Sequence, residues 1–193
     1  YQKSIEYYKK AIDLNPNFAI AYNNLGIIFY KMREYEKAME CYQKAIKLNP
    51  NSQNHVEAYN NLGNVYKVLE QYENAIACYK KAISIKPNHF MSHNNLGLIF
   101  YYLKQFDNAK NSYENSIQIN PNHARGHNNL GILLKELGQY EKAIRCHEKV
   151  IQIHPNHADA HFSLGVLLIL LSEFEKGFKE YEWRKKLLKN KFI

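Results

Sequence analysis

Apolar residues fall along this chain in blocks of about 13–15 positions, and within each block they recur at i, i+3, i+4 and i+7, the spacing of one helix face. Tyr22, Leu25, Gly26, Phe29 and Met32 make one such face. After the polar stretch "REYEK" a second block continues with Ala38, Tyr42, Ala45, Ile46 and Leu48. Prolines stand at 16, 50, 87, 121 and 155, at spacings of 34, 37, 34 and 34 residues. Because proline cannot continue a helix, each one closes a unit. The pattern predicts an all-α chain of 34-residue helix–turn–helix units.

The units divide residues 1–193 into a single solenoid: a partial repeat at 1–16, repeats at 17–50, 51–87, 88–121, 122–155 and 156–189, and a basic tail at 184–193. Residues 1–16 read as the second helix of a unit whose first helix is missing. Three extra residues in "NSQNHVEAY" predict a longer turn before the second full repeat. No helix pair can bury its apolar face alone, so neighbouring units are expected to stack around a continuous core. Small residues such as Gly26, Ala38 and Ala45 sit where two helices approach to about 8–10 Å.

The recurring set is Tyr22, Leu25-Gly26, Phe29, Ala38, Tyr42, Ala45 and Pro50, then Tyr59, Leu62-Gly63, Tyr66, Ala75, Tyr79, Ala82 and Pro87. The third unit keeps His93, Leu96-Gly97, Phe100, Ala109, Tyr113 and Pro121, with Ser116 for the last alanine. The fourth keeps Leu130-Gly131, Ala143 and Pro155 but has Leu134, His147 and Val150. The fifth keeps Leu164-Gly165 and Tyr181, with Gly177 for alanine. This set resembles the tetratricopeptide repeat family over essentially the whole chain. The resemblance implies a right-handed α-α superhelix that binds proteins or extended peptides in a concave groove lined by the first helices.

The tetrapeptide NNLG begins at residues 23, 60, 94 and 128. A helix-interior Asn costs about 0.5–0.7 kcal/mol against Ala, so the doubled asparagines call for a reason. At 100° per residue, Asn24, Asn61, Asn95 and Asn129 lie about 150° from the centre of the packed face, and Asn23, Asn60, Asn94 and Asn128 about 110° from it, on the flank. An amide carries both donors and an acceptor, and can grip a peptide backbone through its N–H and C=O. First helices about 10 Å apart match about three residues of extended chain. The eight asparagines are therefore the candidate peptide-binding residues.

In this respect the chain resembles the repeat region of nucleocytoplasmic O-linked N-acetylglucosamine transferases, whose inner wall carries such a ladder; the fifth unit departs with Ser163. The run Gly177-Phe178 and Tyr181-Glu182-Trp183-Arg184 resembles the end of repeat arrays that lead into a glycosyltransferase domain. The resemblance implies the substrate- or partner-recognising arm of a larger protein. The alternatives are a free-standing assembly scaffold and a chaperone co-factor adaptor. A two-carboxylate clamp fits poorly, because Asn23 stands where its lysine would be and Ile27, Leu98 and Ile132 face the groove.

Composition narrows the rest. The net charge is +8, but "RKKLLKNK" at 184–191 supplies five positive charges, and elsewhere Lys and Glu mix as on solvated helix faces, which argues against nucleic acid. No apolar run is long enough to span a bilayer, and the opening "YQKSIEYYKK" lacks a signal peptide and an initiator Met, so the chain reads as a fragment. Cys41, Cys78 and Cys146 recur at one place in their units, beyond disulfide reach of each other, which suggests a reducing, cytoplasmic or nuclear setting. His89/His93, His123/His127 and His157/His161 are i, i+4 pairs, two ligands where a zinc site needs three or four. They read as His93, His127 and His161 packed in place of Tyr22 and Tyr59, with their partners near exposed turns. No catalytic constellation, cofactor motif or metal site is expected, and the uncovered Ile5, Tyr8 and Ala11 predict weak end-to-end self-association.

Overall fold

The computed structural model of the chain describes residues 1–48 and 55–189, and the expected longer turn falls largely on residues outside them. Among the described residues there are twelve helices and no strand. They are α1 (Gln2–Leu14), α2 (Ala19–Lys31), α3 (Tyr35–Leu48), α4 (Val56–Val68), α5 (Tyr72–Ile85), α6 (Phe90–Tyr102), α7 (Phe106–Ile119), α8 (Ala124–Glu136), α9 (Tyr140–Ile153), α10 (Ala158–Leu170), α11 (Phe174–Tyr181) and α12 (Arg184–Lys189). The helix–turn–helix repeat expected from the apolar spacing is therefore present. No described helix is long and apolar enough to cross a membrane.

Each first helix ends in the same hydrogen-bonded turn. The Arg33 N–H donates to the Tyr30 carbonyl at 3.0 Å and the Glu34 N–H to the Phe29 carbonyl at 2.9 Å, which is the Schellman arrangement. It puts one residue per repeat in the left-handed region: Arg33, Glu70, Lys104 and Ser172 at φ 57–64°, and Gly138 at φ 71°. Only one of the five is a glycine, so four turns carry a conformation that side chains disfavour. Helices α1, α5, α7 and α9 end on an extended residue before proline: Asn15, Lys86, Asn120 and His154 have φ of −140°, −135°, −131° and −133°. Proline disfavours the helical conformation in the residue before it.

The chain divides into two compact units, Tyr1–Ile99 and Phe100–Ile193. In the first, Ile5, Leu25, Ile28, Phe29, Ala38, Tyr42, Leu62 and Val65 form the core. A Cβ on Gly26 would stand 2.7 Å from the Tyr42 ring and one on Gly63 2.6 Å from the Tyr79 ring, so the repeated glycine leaves room for the tyrosine behind it. The second has its own core, with Ala109, Tyr113, Leu130, Leu133, Leu134, Ala143 and Leu167. There His147 occupies the tyrosine's place, 2.9 Å from where a Gly131 Cβ would be.

Candidate binding face on the first helices

The asparagines of the N-terminal unit form a cross-repeat network. Asn61 Nδ2 donates to Asn23 Oδ1 at 3.2 Å, and Asn95 Nδ2 donates to Asn60 Oδ1 at 3.0 Å and to Asn64 Oδ1 at 3.2 Å. The second Asn of the NNLG sets at 60 and 94 thus reaches back to the first Asn of the preceding repeat. This changes the geometry expected of them. Asn60, Asn94 and Asn95 are 4%, 1% and 8% exposed rather than turned to solvent, while Asn23, Asn24 and Asn61 are half-buried. The helical projection treats each helix alone; here the first helices α4 and α6 of neighbouring repeats meet along this flank, through Asn60, Asn64 and Asn95.

Their hydrogen-bonding capacity differs accordingly. Both N–H groups of Asn95 are engaged with Asn60 and Asn64. Asn61 has committed one N–H, and Asn24 makes no side-chain hydrogen bond among the described residues. In the C-terminal unit Asn128 and Asn129 are half-buried. The Asn128 side-chain oxygen is buried with no hydrogen-bond partner among the described residues, and the next repeat carries Ser163 where Asn61 and Asn95 stand in theirs.

The network continues into side chains that the sequence pattern did not connect with the asparagines. Ser92 Oγ donates to Asn60 Oδ1 at 3.2 Å and lies 2.7 Å from His89 Nδ1, whose Nε2 is 3.1 Å from Glu57 Oε1. Tyr79 closes the other end, its hydroxyl donating to Asn64 Oδ1 at 2.9 Å. The hydrogen bond from His89 holds the Glu57 carboxyl below the usual carboxylate range, against the opposing effect of burial. Glu57, His89 and Ser92 thus form a carboxylate–imidazole–hydroxyl line that spacing alone does not reveal. Ser92 is 0% exposed, however, and its proton is directed to Asn60, so the line ties two repeats together and offers no nucleophile to a substrate.

The histidine pairs resolve into turn chemistry. His93, His127 and His161 each place Nε2 2.9 Å from the carbonyl of a proline six residues back, at Pro87, Pro121 and Pro155. Their partners are less exposed than expected. His89 is 3% exposed, and His123 is half-buried with Nδ1 3.0 Å from Ser116 Oγ. Burial, then the charge of Arg125 and His127, pushes His123 down to about 4. His157 caps α10 by accepting the Ala160 N–H at 3.2 Å. Among the described residues no group of three or more potential ligands could hold a metal.

Cys41, Cys78 and Cys146 are free and half-buried, and burial pushes their thiols up to about 11, 12 and 11. They are weak nucleophiles in that state. At the end of the described chain, Tyr181 packs against Phe162 with ring centroids 5.2 Å apart, and Trp183 stacks on His161 at 3.8 Å.

Known proteins with this pattern bear on what such a face does. The tetratricopeptide repeat profile matches residues 19–52, 56–89, 91–123 and 124–157, and a second repeat profile matches residues 1–33. Among solved structures, YrrB, described as a TPR protein with an unusual peptide-binding site, is 27% identical, with a TM-score of 0.70 over 93% of this chain and 91% of its own. MamA from Desulfovibrio magneticus RS-1 is 22% identical, with a TM-score of 0.73 over 89% of this chain and 96% of its own. PilF of Pseudomonas aeruginosa is 22% identical, with a TM-score of 0.80 over 87% of this chain and 75% of its own. At that level of identity the last two bear on the fold alone. No curated protein matches the chain.

Proposed function

This chain belongs to the tetratricopeptide repeat family, and on that premise we propose that it is a binding module that takes an extended peptide along its first helices. The observation that carries the reading is the uneven use of the asparagines. Asn95 and Asn60 are spent on holding repeats together, whereas Asn24 and Asn61 keep amide groups that a peptide backbone could engage. A grip on main-chain groups is indifferent to side chains, which suits a module that accepts more than one partner. The peptide-binding site of YrrB, a relative in fold and in sequence, supports the same role.

The module could act as the recognition arm of an O-linked N-acetylglucosamine transferase or as a free-standing scaffold. Contacts of Tyr181 and Trp183 with α10 account for that aromatic run by packing, so the arm reading rests on the asparagine rows alone. The scaffold is the simpler reading.

The test is capture from a library of unstructured synthetic peptides by the chain and by its Asn24→Ala/Asn61→Ala variant. We expect the variant to lose capture with its melting little changed. Equal capture by both would sink the reading.

A further inference from the structure

A recessed surface lies on the C-terminal unit, outside the asparagine rows, lined by α7, α8 and α9. The pocket there measures about 480 Å³. Ile117, Leu130 and Cys146 give it an apolar lining, and the Cys146 thiol stays uncharged because burial pushes it up to about 11. His127 also lines it; its Nε2–H is donated to the Pro121 carbonyl, which leaves Nδ1 for a ligand. Charged groups complete the lining. Glu114 pairs with Lys110 at 3.9 Å and Lys149 Nζ donates to Gln152, whereas Arg145 has no ion-pair partner among the described residues, so the balance is positive.

One repeat later the chain fills the matching place itself. His127, Leu130 and Ile117 have 34-residue counterparts in His161, Leu164 and Ile151. The counterparts of Cys146 and Lys149 are Glu180 and Trp183. The Trp183 ring lies flat on His161, with centroids 3.8 Å apart and planes within 5°, and Lys186 Nζ stands 3.5 Å from the centre of the Trp183 ring. Glu180 meets His161 Nδ1. An aromatic ring held between a histidine ring and an ammonium is favourable in both of its face contacts. In the fourth repeat the chain supplies neither the aromatic nor the acid.

We infer that the pocket beside His127 receives an aromatic side chain, tryptophan foremost, from a partner peptide that carries carboxylates next to it. The ring stacks on His127 as Trp183 does on His161, and the carboxylates meet Arg145 and Lys149. Such a contact is independent of the asparagine rows.

The test is an NMR titration of the ¹⁵N-labelled chain with acetyl-Glu-Tyr-Glu-Trp-amide, the chemistry of the chain's own Glu180–Trp183. Saturable shifts are expected at Ile117, His127, Leu130 and Cys146. Replacing the peptide's tryptophan by alanine should remove them. Arg145→Glu/Lys149→Glu, which changes lining charges only, should weaken binding at least tenfold at unchanged melting, and the Asn24→Ala/Asn61→Ala variant should bind as well as the parent. Absent shifts, shifts confined to the asparagines of α2, α4 and α6, or equal shifts with the alanine peptide would overturn the assignment. Concentration-dependent shifts at the same residues without peptide would also overturn it, by naming a second copy of the chain as the occupant.

Discussion

The side-chain amide of Asn61 donates to the side-chain oxygen of Asn23 across a repeat boundary, at 3.2 Å. The same step recurs from Asn95 to Asn60 at 3.0 Å. Two adjacent asparagines in one helix therefore serve two neighbours: the first accepts from the repeat that follows, and the second donates to the repeat that precedes. This accounts for the pairing of asparagines, which a single binding row would not require. It also divides them into residues that hold the stack and residues with capacity to spare.

Stability should follow that division. Asn95→Ala removes two hydrogen bonds from a buried site, a loss of about 1–2 kcal/mol, offset by about 0.5 kcal/mol of helix propensity. Asn24→Ala removes none and should be neutral or slightly stabilising. Urea unfolding midpoints of the two variants measure the difference. Equal midpoints would mean that the cross-repeat bonds contribute nothing net.

The break in the pattern gives a gain-of-stability test. Asn128 Oδ1 is buried and unpartnered, and Ser163 is the residue that would have to reach it. Ser163→Asn restores the donor present in the earlier repeats, and should add about 1 kcal/mol or more, because an unsatisfied buried oxygen is also relieved. A thermal melt without an increase would show that the donor cannot reach.

The fold was legible because its signals are local and repeated. Pro16, Pro87, Pro121 and Pro155 end helices by covalent geometry, and the Gly26–Tyr42 contact was foreshadowed by a small and a large residue at fixed offsets. The candidate site was legible in part. The asparagine rows stood out by composition, but their burial depends on the neighbouring repeat's helix, which the angular position on one helix does not contain. The Glu57–His89–Ser92 line was hidden for the same reason, since its carboxylate comes from another repeat. The His93–Pro87 bond was in principle readable from its six-residue offset, which recurs in three repeats.

The turn between helices offers a test free of packing. Gly138 has φ 71°, and a Cβ there would meet nothing within 4 Å, so Gly138→Ala exposes the backbone effect alone. It should cost about 1 kcal/mol. Glu70, at φ 57° in the equivalent turn, should respond in the opposite sense, Glu70→Gly raising the unfolding midpoint by a comparable amount. Two changes of like sign would show that something other than the left-handed conformation sets the stability of these turns.

Acid should loosen the fourth repeat through His147. This imidazole is 0% exposed, and neither ring nitrogen has a hydrogen-bond partner among the described residues. Burial, then the charges of Lys135 and His157, pushes it down to about 4 from the ordinary 6.5. The folded state therefore prefers the neutral ring, while the unfolded chain takes up a proton below about 6.5. The associated stability is fully present above that pH and is lost as the pH falls towards 4, a change on the order of 3 kcal/mol by linkage. His123, pushed down to about 4 by its own burial, adds to the loss over the same window. Glu57, held below its ordinary 4.5 by His89, contributes stability that is lost only at lower pH. Phenylalanine keeps an aromatic ring against Gly131 without the proton, and it needs no partner for a hydroxyl where Ile132 replaces the Asn64 that serves Tyr79. The melting temperature of His147→Phe should thus fall less than the parent's between pH 7 and pH 4.5, with the remaining slope due to His123. Parallel curves for the two proteins would show that His147 is not the group whose protonation loosens the repeat.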